Sequence, residues 1–132
     1  MKKHTVWVDL GFLPVRVGYV PRACWRATLK ECKVDVEPFP ETAGNCMHWT
    51  DTPDDSRDLI LITLTGGQNR SLAQTVGLIA HECQHAWRHI RESIGEKTPS
   101  CEFEAYTLHA MVQCIVQAHQ DNHKRPWKKP DA

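Results

Sequence analysis

Apolar and polar positions alternate in two registers along this chain, and the switch between them marks the elements. Residues 5–10 (TVWVDL) are rich in β-branched and aromatic side chains, and residues 14–20 (PVRVGYV) alternate with period two. With Gly11 between them, the two segments predict a hairpin. Pro21 then opens a helix over 23–32, with Trp25, Leu29 and Cys32 at helical spacing. Residues 37–45 (EPFPETAGN) read as a loop broken by Pro38, Pro40 and Gly44. A short strand is expected at 46–49 and a polar turn at 51–58. The run 59–64 (LILITL) is apolar at nearly every position, which predicts a central strand covered on both faces.

The period then changes to that of a helix. Ser71 is a good N-cap, and Gln74 three residues on completes a capping box. Apolar residues recur at Leu72, Val76, Ile79, Cys83, Ala86, Trp87, Ile90 and Ile94, and Gly95 supplies the stop. A second long helix is expected from about 99 to 120, with Thr98 as cap and Pro99 at the first helical position. Phe103, Leu108, Met111, Val112, Ile115 and Val116 predict that it is largely buried. No internal repeat appears. The class is α+β, a sheet of a few strands packed on two long helices.

Size and composition narrow the function. A chain of 132 residues fits one domain, expected over 1–120. With 41% hydrophobic and 24% charged residues, the chain as a whole is not disordered. Its formal net charge is zero, which argues against nucleic acid as the main partner. The exception is the C-terminal stretch 121–132, basic from His123 to Lys129, which is expected to be a flexible tail. No run is long and apolar enough for a membrane span. Lys2 and Lys3 resemble a basic leader start, but Asp9 and Arg16 interrupt any apolar segment after them. Six cysteines without a C-x-x-C pair or a secretory leader suggest reduced thiols and a cytoplasmic protein.

The chemistry is concentrated in His81-Glu82-Cys83-Gln84-His85. Histidines at i and i+4 on a helix lie about 40° apart at 100° per residue, so both rings reach one ion. Zinc suits imidazole ligands in tetrahedral geometry. Glu82 is rotated aside and borders the ion, where a general base must sit to take a proton from water. The helix's apolar residues centre roughly 170° from the bisector of the two histidines, so one face packs and the other presents ligands. A catalytic zinc needs a third protein ligand and an open position. The metzincin arrangement is absent, because it needs glycine at position 88 and histidine at 91, where this chain has Arg88 and Arg91. His89, one turn beyond His85, reads as a supporting or surface residue. The next helix offers Glu102 and Glu104 in its first turn, where the helix dipole favours an ionised carboxylate.

Glu102-Phe103-Glu104-Ala105-Tyr106 resembles the E-x-x-A-[DN] segment of gluzincin metallopeptidases, such as the M48-like and ImmA/IrrE-like families. Tyr106 stands where those families carry Asp or Asn. From Gly77 to Met111 the chain is similar to small phage and prophage proteins that share the H-E-x-x-H pattern. The shared elements are that motif, then Ile94-Gly95-Glu96, Pro99 and Glu102 to Tyr106, over about a quarter of the chain. The size is also similar to that of the minigluzincins. The resemblance implies a zincin-like domain with a mixed or antiparallel sheet of three or four strands, a phage origin, and Glu102 as the third zinc ligand. It does not imply a substrate.

Together these expectations describe a zinc-dependent metallopeptidase acting on a peptide or protein in the host cytoplasm. Glu82 is the expected base, with Tyr106 and His109 the expected stabilisers of the oxyanion; Arg88 and His89 are further candidates. The residue pattern at 46–49 or at 59–64 offers a strand edge for substrate pairing. His48 is expected at the surface. The alternative is a zinc-binding regulatory or structural phage protein without proteolytic activity.

Overall fold

The computed structural model describes residues 2–53, 57–66 and 69–123. Four strands form one mixed sheet: β1 (Val6–Val8), β2 (Val15–Tyr19), β3 (Gly44–Trp49) and β4 (Asp58–Leu64), in the order β1-β2-β4-β3. β1 and β2 form the expected antiparallel hairpin, with Val8 opposite Val17. β2 then pairs in parallel with β4, Val17 beside Ile60, so the chain must cross over between them. The crossover carries a 3₁₀ turn (Arg22–Cys24), α1 (Trp25–Glu31) and β3, which returns antiparallel on the outer side of β4.

β4 explains the arrangement. Its run of apolar side chains points alternately to both faces, and Leu59, Ile60, Leu61 and Ile62 are all fully buried. One face, with Val15, Val17, Tyr19, Ile60 and Ile62, is covered by two long helices, α2 (Leu72–Ile94) and α3 (Cys101–Asn122). The other face, with Leu59 and Leu61, is covered by Trp25, Leu29, Cys32 and Phe39 from α1 and the following loop. β4 is central and paired on both sides, so it offers no edge to a substrate; β3 is the outer strand instead.

The helix ends follow local chemistry. Ser71 Oγ accepts from Gln74 N while Gln74 Oε1 accepts from Ser71 N, the reciprocal box read from the sequence. Gly95 closes α2 in the left-handed conformation, φ 72°. α3 starts two residues later than expected: Ser100, not Thr98, is the cap, its Oγ accepting from Phe103 N. α3 is also less buried than expected. Thr107, Met111, Ile115 and Ala118 form its inner face, whereas Leu108, Val112 and Val116 are only partly covered. It runs past residue 120 to Asn122, whose Oδ1 accepts from His4 N and whose Nδ2 donates to Ala118 O. The first two residues of the expected tail are therefore helical, and its basic portion beyond 123 lies outside the described residues. No helix among the described residues is long and apolar enough to cross a membrane.

Candidate metal and catalytic site

α2 is amphipathic because Ile79, Cys83, Ala86, Trp87 and Ile90 repeat at helical spacing and are all buried against the sheet and α3. That packing turns His81 and His85 outward, where both are exposed. Their Nε2 atoms are 3.2 Å apart and the ring planes meet at 73°. Two nitrogens bound tetrahedrally at 2.0–2.1 Å from one zinc would lie about 3.3 Å apart. The pair therefore has the spacing of two ligands of a single ion.

Glu82 is not on that outward face. It is turned toward the start of β3 and is only 5% exposed. Among the described residues no hydrogen bond holds its carboxylate. Its surroundings are the Leu78 side chain, Gly44, and the thiols of Cys46 and Cys83. Burial, and then the charge of Glu82, pushes the Cys46 thiol up to about 12. Burial, reinforced by Cys46 and Glu82, does the same to Cys83, also about 12. Both thiols are thus protonated and inert, so no competing nucleophile stands beside Glu82. No disulfide joins any of the six cysteines.

A second polar group continues along the same side of α2. His89 lies one turn beyond His85 and stacks on His48 of β3, ring centroids 4.2 Å apart. His48 Nε2 is 3.3 Å from Asp58 Oδ2 at the first position of β4. Asp58 also accepts from Ser93 Oγ of α2 and from Asp51 N. Burial raises the Asp58 pKa, but the bonds from Ser93, the Asp51 amide and His48 outweigh it, and the net shift is downward. Burial, with His48 beside it, lowers the His89 pKa. Its Nδ1 is buried without a hydrogen-bond partner among the described residues. His48 is therefore a half-buried partner of Asp58 and not the surface residue expected. Nothing in local sequence signals this group, because its members come from three elements.

The α3 residues expected at the site sit elsewhere on their helix. Glu102, Tyr106 and His109 are exposed, on the side of α3 opposite Met111 and Ile115, and Tyr106 is 70% exposed. His109 Nε2 pairs with Gln113 Oε1 at 2.9 Å. Glu104 is half-buried on the inner side of the first turn. Ring contact between Trp87 and Phe103, centroids 5.6 Å apart, brings the start of α3 alongside the motif helix. Arg88 is exposed, and Arg91 Nη2 donates to Lys97 O. Among the described residues, no three His, Cys, Asp or Glu side chains converge as a metal-binding group. The histidine pair thus fits a metal, and the third donor is not assembled with it.

No known protein family, curated protein or solved structure matches the chain.

Proposed function

We propose that this chain is a zinc-dependent metallopeptidase of the H-E-x-x-H type. The observation that carries the reading is the His81–His85 pair at zinc-ligand spacing, next in sequence to a buried carboxylate that takes no hydrogen bond among the described residues. His81 Nε2 and His85 Nε2 would hold the ion. A third donor would have to come from α3, Glu102 by its resemblance to the gluzincin ligand or Glu104 in the same turn, and neither is assembled with the histidine pair. When bound, zinc supplies Lewis acidity to the scissile carbonyl.

The remaining chemistry belongs to side chains of this protein. Glu82 takes the proton of the attacking water on a carboxylate oxygen and returns it to the leaving amine. Its burial, 5% exposed, keeps most water from the carboxylate. The outer edge of β3 carries unpaired backbone groups along the motif helix, which suits pairing with an extended peptide. The outward placement of Tyr106 and His109, the expected oxyanion stabilisers, favours a second reading: a zinc-binding regulatory or structural phage protein that cleaves nothing.

Zinc content and cleavage of a proteome-derived peptide library, measured on the same preparations, separate the two. Under the peptidase reading, wild-type protein binds zinc and cleaves, Glu82→Gln binds zinc without cleaving, and His81→Ala does neither. Stoichiometric zinc in a wild type that cleaves no peptide selects the second reading. Turnover by Glu82→Gln removes the base from Glu82.

A further inference from the structure

Gly44, the first residue of β3, lies directly against Glu82. A Cβ at position 44 would sit 2.7 Å from Glu82 Oε2, 3.1 Å from Glu82 Cγ and 2.8 Å from Leu78 Cδ1. Carbon and oxygen do not approach so closely, so something would have to move. Backbone conformation is not the reason for glycine here. The left-handed glycines of the described chain are Gly11, Gly66 and Gly95, and Gly44 is not among them. Space is the reason.

The backbone on either side cannot yield. Gly44 pairs with Leu64, its carbonyl accepts from Thr42 Oγ1, and the preceding Ala43 carbonyl accepts from Thr65 N at 2.8 Å. Thr65 Oγ1 adds a bond to Thr42 O, also at 2.8 Å. On the other side, α2 is anchored by Ile79, Cys83 and Ala86, all fully buried. Only the two side chains can give way. Leu78 is partly buried and touches with a terminal methyl group, which can rotate. Glu82 touches with both its carboxylate end and its Cγ, so a Cβ at position 44 would displace the carboxylate from where it now lies.

We propose that Gly44 is a positioning residue for Glu82: its missing side chain is the slot in which the carboxylate is buried beside the His81–His85 pair. The proposal rests on the reading of Glu82 as the base, but the placement can be tested without any turnover.

The test is a double-mutant cycle in the full chain, read by urea denaturation and, where there is turnover, by kinetics. Gly44→Ala lowers the urea midpoint in the wild-type background. In a Glu82→Ala background only the Leu78 methyl group, which can rotate, remains in the way, and the same substitution lowers it by less than half as much. Should Gly44→Ala alone fail to fold, recovery of folding in Gly44→Ala/Glu82→Ala supports the placement equally. In kinetics, Gly44→Ala retains wild-type zinc content and a KM within about twofold, while kcat falls at least tenfold. Adding Glu82→Asp, one methylene shorter, restores part of that kcat, although Glu82→Asp alone lowers it. Equal midpoint losses in both backgrounds, or wild-type kcat in Gly44→Ala, overturn the proposal. Coupling in the cycle without turnover by the wild type upholds the placement and overturns only the peptidase reading.

Discussion

Replacing Asp58 gives a sharp test of how β3, β4 and α2 are tied together. The carboxylate is 15% exposed at its side chain and takes bonds from Ser93 Oγ, Asp51 N and His48 Nε2. Asp58→Ala leaves three donors without an acceptor. A hydrogen bond to a charged group contributes about 1.5–3 kcal/mol, and an abandoned donor costs up to its desolvation. Water reaches part of this site, so the lower end applies, giving about 4–5 kcal/mol in all for the three bonds. Asp58→Asn keeps an acceptor for Asp51 N, and Ser93 and His48 can exchange donor for acceptor roles. It should cost only about 1–2 kcal/mol, the charge-assisted share.

The two variants also differ in pH response. The folded-state pKa of Asp58 is depressed below that of the unfolded chain, so its stabilisation is present above the unfolded value, near 3.9, and is lost as pH falls through the folded value. Urea denaturation at pH 7 should therefore show the full gap between wild type and Asp58→Asn, and the gap should close as pH drops below about 4. A gap under about 0.5 kcal/mol at pH 7, or one that stays constant down to pH 3, would refute this account of the cluster.

Two further expectations concern other parts of the molecule. Tyr19 Oη lies 2.8 Å from Nδ1 of His119, which is 3% exposed, and 3.2 Å from His123 Nε2. Tyr19→Phe removes the phenol from both rings and should lower stability by about 1–3 kcal/mol in urea denaturation; an unchanged midpoint would show that the contact contributes nothing. Residue-resolved alkylation at pH 8 should label exposed Cys101 first and leave Cys46 and Cys83, both raised to about 12, unlabelled until the protein unfolds. Early labelling of Cys83 in folded protein would contradict the packing of α2.

The features legible in the amino-acid order are those whose cause is local. Ser71 and Gln74 cap one another across three positions, Gly95 ends the helix by its own conformational freedom, and 59–64 has apolar side chains on both faces of a strand. The orientation of His81 and His85 away from the core also followed from the helical repeat alone. Choices between equivalent local signals went astray: Thr98 and Ser100 are both good caps, and only tertiary packing selects Ser100. Leu108, Val112 and Val116 suggested a buried α3, but apolar residues are common on half-exposed faces and do not by themselves set depth. The contacts that shape the site join residues far apart. Gly44 meets Glu82, and His48 meets both Asp58 and His89, across elements whose adjacency no periodicity encodes. A turn holding Glu102 and Glu104 likewise does not reveal which carboxylate faces the neighbouring helix, and packing leaves Glu102 exposed and Glu104 half-buried.

The parallel pairing of β2 with β4 has a kinetic consequence. Residues 15–19 find their neighbours only at 58–62, whereas α2 and α3 are consecutive and joined by a short link. Closing so long an intervening loop is entropically costly before any contact rewards it. A nascent chain leaving the ribosome therefore holds an unmated hairpin for some forty residues of synthesis, and the inner surface of the sheet stays uncovered until the helical pair has emerged. The peptide that carries the histidines is thus one of the two last elements, with α3, whose arrival completes folding.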